Sequence, residues 1–230
     1  MRKLVLFDLD GTLVDLFDVH IGAFIKMEKE VFGIDLGPED MIKNIGKPAR
    51  TVIGAPLLER GIDPEIIERK METAYRVFKT HLEGELKRVD GKELILPGVT
   101  EVLEALSRNG EILGLITGNI STVGLLILER TGLSKYFKVH SFGDVARRRS
   151  EMIARAVGLA EERYGFVPKE DNVFIVGDSV HDIRAGKEFG CRTIAVASGF
   201  ASEDELEKEK PDFLFRSLEE TDAVLQAIED

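Results

Sequence analysis

Two pairs of carboxylates carry the strongest chemical signal in the sequence. Asp8 and Asp10 flank one leucine at the end of the apolar run Lys3 to Phe7, and Gly11 and Thr12 follow with the freedom to bend and a hydroxyl to hydrogen-bond. Asp178 and Asp182 follow the run Val173 to Val176 and the tight exit that Gly177 permits, at a spacing that sets both on one side of a helical turn. Each cluster alone also reads as ordinary structure: Asp-x-Asp-Gly as a turn, an aspartate at a helix start as an N-cap. Together they concentrate negative charge that would be hard to leave unpaired in a partly buried crevice. A magnesium ion would resolve that conflict, with Asp8, Asp178 and the main-chain carbonyl of Asp10 as ligands, and waters and a phosphate oxygen completing an octahedral shell. Calcium fits less well, because no segment has the EF-hand pattern.

The elements that must position these groups recur along the chain. Short apolar runs end in polar turns at 8–12, at Thr117-Gly118-Asn119 after Ile112 to Ile116, and at 177–182, and Arg192 to Ala197 is a further β-prone run. Helical patterns lie between them, over Thr100 to Arg108, Ile120 to Thr131, Ser150 to Tyr164, Asp182 to Phe189 and Leu218 to Ile228. Alternating β and α units imply an α/β fold, a mostly parallel sheet covered on both faces, with ligands gathering beyond the carboxyl ends of the strands. The three polar clusters all fall at such ends. Between about Leu16 and Val89 the pattern changes to long amphipathic stretches, which read as a helical insertion between hinges near Leu13 to Asp15 and Val89 to Leu96. The expected division is a catalytic core of 1–15 and 90–230 and a helical cap of 16–89.

Composition narrows the alternatives. The chain has 230 residues, 43% hydrophobic and 32% charged, enough to bury a core without staples. A single cysteine and four histidines exclude a disulfide framework and leave carboxylates to carry any metal. The formal charge of −11 argues against broad nucleic-acid or anionic-membrane binding, while a local positive pocket remains compatible with it. No long hydrophobic or signal-like segment opens the chain, so a cytoplasmic location is the expectation.

Asp8-Leu9-Asp10-Gly11-Thr12-Leu13-Val14 resembles the signature of the haloacid dehalogenase-like (HAD) hydrolase superfamily. Thr117-Gly118-Asn119 is similar to its second motif and Gly177-Asp178-Ser179-Val180-His181-Asp182 to its fourth, in family order. The helical insertion between the first two motifs resembles the class with an α-helical cap, such as phosphoglycolate phosphatases and β-phosphoglucomutases. The implied fold is a Rossmann-like, three-layer α/β/α core with an inserted cap. The third motif departs from the common pattern: where many relatives carry a lysine, this chain has Arg147-Arg148-Arg149. Arg149 is the favoured phosphate-facing cation and Arg148 the second, with a solvated charge face as the alternative.

The resemblance implies roles. Asp8 would attack phosphorus and form an aspartyl-phosphate, Asp10 would be the acid-base residue, and Thr117 with the neighbouring Gly118 and Asn119 would orient the phosphate. Asp178 would bind magnesium directly and Asp182 through water or by orienting its neighbours. The presence of Asp10 favours phosphate chemistry over the dehalogenase and phosphonate-cleaving branches. In the cap, Asn44-Ile45-Gly46-Lys47-Pro48-Ala49-Arg50 resembles the specificity loop: Gly46 would allow close approach, and Arg50 and Lys47 would receive a carboxylate or distal phosphate, an exposed helix start being the other reading. His181 is expected to be an ordinary polar residue, Cys191 a buried apolar one, and Phe24, Phe32, Tyr75 and Phe78 packing residues of the insertion.

The expected function is magnesium-dependent hydrolysis of a small phosphorylated metabolite, with phosphoglycolate favoured over phosphosugars, by a monomer or homodimer that binds neither nucleic acid nor membrane. A phosphomutase acting on a sugar phosphate and a non-enzymatic phosphate-binding or assembly protein are the competing readings.

Overall fold

The computed structural model describes residues 2–44, 47–146, 148–169 and 171–229; Gly46 and Arg147, both singled out above, lie outside the described residues. The strands are β1 (Leu4–Phe7), β2 (Ile112–Thr117), β3 (Val139–Phe142), β4 (Val173–Gly177), β5 (Arg192–Val196) and β6 (Phe213–Phe215). They form one sheet in the order β3-β2-β1-β4-β5-β6, with every neighbouring pair parallel. This is the expected Rossmann-like α/β core. The chain adds β2 and β3 on one side of β1 and β4 to β6 on the other, so the topological switch lies beside β1, where such sheets open a crevice.

The alternation of side chains along fully buried strands feeds two apolar layers. Val5 and Phe7 of β1 join Leu113, Leu115, Phe174 and Val176 on one face, against α5 (Val99–Arg108), α6 (Ser121–Thr131) and α10 (Thr221–Glu229). Leu4 and Leu6 join Ile112, Ile116 and Ile175 on the other, against α7 (Arg149–Tyr164) and α8 (Val180–Phe189). A short helix α9 (Glu203–Lys208) leads into β6. The expected β1, β2, β4 and β5 and all five expected core helices are present within a few residues of their proposed bounds, whereas β3, β6 and α9 went unanticipated.

Between β1 and α5 the described residues form four helices: α1 (Phe17–Phe32), α2 (Pro38–Ile42), α3 (Ala49–Glu59) and α4 (Pro64–Leu86). Helices α1 and α4 pack along each other through Phe24 stacked on Phe78, ring centroids 4.0 Å apart, with Met27, Met71 and Leu82 buried around them. The two segments that connect this helical unit to the sheet lie side by side. The Asp15 amide donates to the Leu94 carbonyl at 2.9 Å and the Leu96 amide to the Leu13 carbonyl at 3.0 Å. Any rotation of the helices against the sheet therefore bends one paired ribbon rather than two independent linkers.

Candidate active site

All three polar clusters arrive at one place because their strands are neighbours. Asp8 follows β1 directly, Thr117 ends β2 and Asp178 follows β4, and β2 and β4 flank β1. The resulting crevice lies under α1 to α3 and encloses a cavity of about 550 Å³ lined by residues from the sheet and the helical unit, among them Asp8, Asp10, Thr117, Asn119, Arg149 and Asp178.

Asp178 is held by its neighbours. Its Oδ1 accepts from the Thr12 hydroxyl at 3.2 Å and its Oδ2 from the Phe200 amide at 3.2 Å. Gly11 and Gly199 press against the same carboxylate, and a Cβ on either would collide with it; Gly11 also has φ +78°, a conformation glycine takes without steric cost. The Ser198 hydroxyl donates to the Gly11 carbonyl at 2.8 Å and ties the two loops together. The loop Ser198 to Phe200 follows β5 and was missed in the sequence, although the run Arg192 to Ala197 ending in Ser-Gly repeats the device that marked the other three clusters.

Asp182 caps α8. Its Oδ2 accepts from the amide and hydroxyl of Ser179, while its Oδ1 accepts from Arg149 at 2.6 Å. The same side chain thus completes the capping box and holds Arg149. Arg149, the first residue of α7, reaches from Asp182 to Asp8, with 2.7 Å between its Nη2 and Asp8 Oδ1. Arg149 as a whole is 7% exposed and lines the cavity. Arg148 points elsewhere, to Glu151 and Glu188 at the surface.

The electrostatics follow from this crowding. Asp8, Asp178 and Asp182 are all buried, and one carboxylate oxygen of each lies within 4.8 Å of the others. Burial, opposed by Arg149 and reinforced by the neighbouring carboxylates, holds the Asp8 carboxyl well above the usual range. Burial and Asp182 push Asp178 up to about 7. Burial disfavours the charge on Arg149, but Asp182, Asp8 and Asp178 together outweigh it and hold the guanidinium in its charged form. Three buried carboxylates against one guanidinium leave a negative excess that protons or a cation must compensate, and hard oxygen donors suit Mg²⁺. Asp8 and Asp178 line the cavity whereas Asp182 is not among its lining residues, so Asp8 and Asp178 are the side chains that fit as direct ligands.

Asp10 sits above this group. Its Oδ2 accepts from the Asn119 amide nitrogen at 2.5 Å, and the His20 Nδ1 of α1 lies 3.8 Å from its Oδ1. Sequence reasoning gave no hint of His20, since no motif or period joins it to Asp10. Thr117 accepts from both the main-chain amide and the side-chain nitrogen of Asn119 at 3.2 Å, which leaves its own hydroxyl proton to donate into the cavity. Gly118 is where the helical unit touches the sheet: its carbonyl accepts from the Ala49 amide at 2.8 Å, and a Cβ there would meet the Lys47 carbonyl.

The proposed specificity residues divide. Lys47 lines the cavity and donates to Asn44 Oδ1 at 2.9 Å. Arg50 is half exposed, pairs with Glu68 of α4 and is not among the cavity-lining residues. His181 lines the cavity, Cys191 is buried with its thiol pushed up to about 12, and Phe24 and Phe78 pack the helical unit.

The family model for haloacid dehalogenase-like hydrolases matches residues 5–196. The chain belongs to that family. Among related HAD-like proteins, pyrophosphatase PpaX of Anoxybacillus flavithermus is 30% identical over 225 residues, covering 96% of this chain and 95% of that protein. A phosphoglycolate phosphatase of Agrobacterium fabrum is 30% identical over 203 residues, covering 87% of this chain and 82% of its own length. The expectation of a HAD-like phosphatase agrees with these relatives and sets aside the non-enzymatic reading. The HAD-like fold is shared with a solved β-phosphoglucomutase of Clostridium difficile, with a TM-score of 0.79 at 16% identity over 100% of this chain and 98% of that one. Among the described residues no helix is long and apolar enough to cross a membrane.

Proposed function

We propose that this HAD-like hydrolase is a magnesium-dependent phosphatase that transfers the phosphoryl group of a small phosphorylated metabolite to Asp8 and then to water. The observation that carries this reading is the placing of two carboxylates for different tasks at one strand end: Asp8 held by Arg149, Asp10 held by Asn119. Magnesium bound by Asp8 and Asp178 would supply positive charge against the transferring phosphoryl group.

The chain's own groups divide the rest. Asp8 attacks phosphorus as the bond to the leaving oxygen breaks, and Asp10 gives that oxygen its proton. Asp10 then takes a proton from the incoming water, whose oxygen displaces Asp8 from phosphorus and restores the carboxylate. Arg149 keeps Asp8 turned toward the cavity and offsets part of its charge, while the Thr117 hydroxyl and neighbouring amides donate to phosphoryl oxygens. Residues 16–89 act as a cap, closing over the crevice through the paired ribbon at Leu13 to Asp15 and Leu94 to Leu96.

Rapid-quench kinetics with Mg²⁺ test this scheme, with phosphoglycolate and pyrophosphate as reference substrates because relatives are named for them. Asp8→Asn is expected to abolish the phosphoenzyme burst and lower kcat by roughly 10³-fold or more. Asp10→Asn is expected to slow hydrolysis of the phosphoenzyme, so that it accumulates. Turnover by Asp8→Asn with an undiminished burst, or by the wild type at full rate in chelator, would remove the scheme.

A further inference from the structure

The cavity is larger and more apolar than the phosphoryl chemistry at its floor requires. Its volume of about 550 Å³ lies within the range of roughly 300–1,000 Å³ that encloses whole drug-sized molecules. The polar side chains that could meet a phosphoryl group crowd one end, at the strand termini. The opposite walls come from the cap: Ile21 and Phe24 of α1, Met41 and Ile42 of α2, and Val52 of α3. Phe17 of α1 and Phe200 of the loop after β5 also line the cavity and meet each other, ring centroids 5.0 Å apart and tilted 31°.

The cations that could meet an anionic leaving group are largely committed elsewhere. Arg50 is turned to Glu68, and Lys43, which lines the cavity, lies 3.5 Å from Glu59. Lys47 faces the cavity with its ammonium bonded to the neutral Asn44. A doubly anionic acid held against this cap would bring a carboxylate to a wall of Ile, Met, Phe and Val side chains. The cap's lining lysines among the described residues are Lys47 and a Lys43 shared with Glu59, and the rest of the desolvation cost would be unmet.

We infer that the substrate is a phosphate monoester whose alcohol half is an apolar carbon body, seated against Ile21, Phe24, Met41, Ile42 and Val52, rather than a second anionic group. The inference rests on the phosphatase reading above and specifies its substrate class. Burial of the alcohol half then contributes to specificity in proportion to its apolar area, and Ile42 and Phe200 set how much of it is covered. Both belong to accessible parts of the cavity: Ile42 is half-buried and Phe200 is 51% exposed, so substitutions there spare the packed interior of the cap.

A homologous series of n-alkyl phosphates from methyl to hexyl tests this directly, because the leaving oxygen is chemically alike throughout and only the apolar length changes. With Mg²⁺ present, kcat/KM is expected to rise about three- to fourfold per added methylene over the first several carbons, and hexyl phosphate to outrank phosphoglycolate. The hexyl-to-methyl ratio is expected to fall about tenfold in Ile42→Ser and severalfold in Phe200→Ala, a comparison made within each variant and so insensitive to a general loss of active protein. A flat or falling series, or phosphoglycolate or pyrophosphate turned over at least tenfold better than any alkyl phosphate, overturns the inference while leaving the phosphatase reading intact. Failure to hydrolyse every one of these compounds overturns both.

Discussion

Arg149 is the residue on which the charge balance of the site turns. Its guanidinium is the only cation in contact with the buried carboxylates Asp8 and Asp182 among the described residues. Removing one partner of a buried ionic group typically costs about 3–5 kcal/mol, because the remaining charge stays desolvated. Arg149→Met is expected to lower the unfolding free energy of the ion-free protein by about that much at pH 8, and by clearly less at pH 5, where protonation relieves the abandoned carboxylates. Urea titrations at the two pH values measure the difference, and an equal loss at both would show that the pairing contributes nothing beyond packing. In the sequence Arg149 was favoured only by resemblance to the third motif of relatives, with Arg148 as the second choice. Its partner was not legible there, since Asp182 lies 33 residues further on and only the packing of α7 beside α8 joins them. Arg50 shows the converse: a suitable residue type in a suitable segment, turned away because Glu68 on the next helix offers a carboxylate.

At the scale of elements, the strand ends were readable because a buried parallel strand leaves an unbroken apolar run and its exit leaves a glycine or a short polar residue. The strands β3 and β6 escaped that reading for physical reasons. Val139-His140-Ser141-Phe142 interrupts its apolar character with two polar residues, and Phe213–Phe215 is three half-buried residues at the sheet edge. Helix α2 is too short to show a period, although Gly37-Pro38 with Asp40 marks its start. The unanticipated loop after β5 has a function that its backbone explains, since Gly199 lets the chain press against Asp178 while the next amide donates to it. Gly199→Ala is expected to push the carboxylate out of place and raise the Mg²⁺ concentration needed for half-maximal activity by tenfold or more. Far-ultraviolet circular dichroism should remain that of the folded protein. An unchanged magnesium dependence would mean that the carboxylate is free to move and is not positioned by this loop.

For the molecule as a whole, acidic groups held neutral by burial tie stability to pH, and one of them belongs to the helical unit and not to the carboxylate cluster at the strand ends. Glu28 of α1 faces the interior of the helical unit with 0% exposure, and neither carboxylate oxygen has a hydrogen-bond partner among the described residues. Burial alone raises its pKa to about 8, against 4.5 for an ordinary glutamate. The folded state therefore holds this proton where the unfolded chain has released it. Stability from this group is complete below pH 4.5, declines as the pH rises from there, and is lost once the folded value near 8 is passed. Asp178, pushed up to about 7 in the ion-free site, acts in the same direction, but magnesium bound there would favour its ionised form and offset that part. The two contributions can thus be separated. In chelator, the thermal midpoint is expected to fall between pH 5 and pH 8.5; saturating Mg²⁺ should recover part of the loss at the higher pH. Glu28→Leu should recover another part whether or not the ion is present, since it replaces an unpaired buried carboxyl by an apolar side chain of similar size. The gain should be a few kcal/mol at pH 8.5 and much smaller at pH 5. Equal stabilisation at both pH values would mean that Glu28 does not titrate in the folded state, and that the pH response of this acidic chain arises from its net charge of −11 instead.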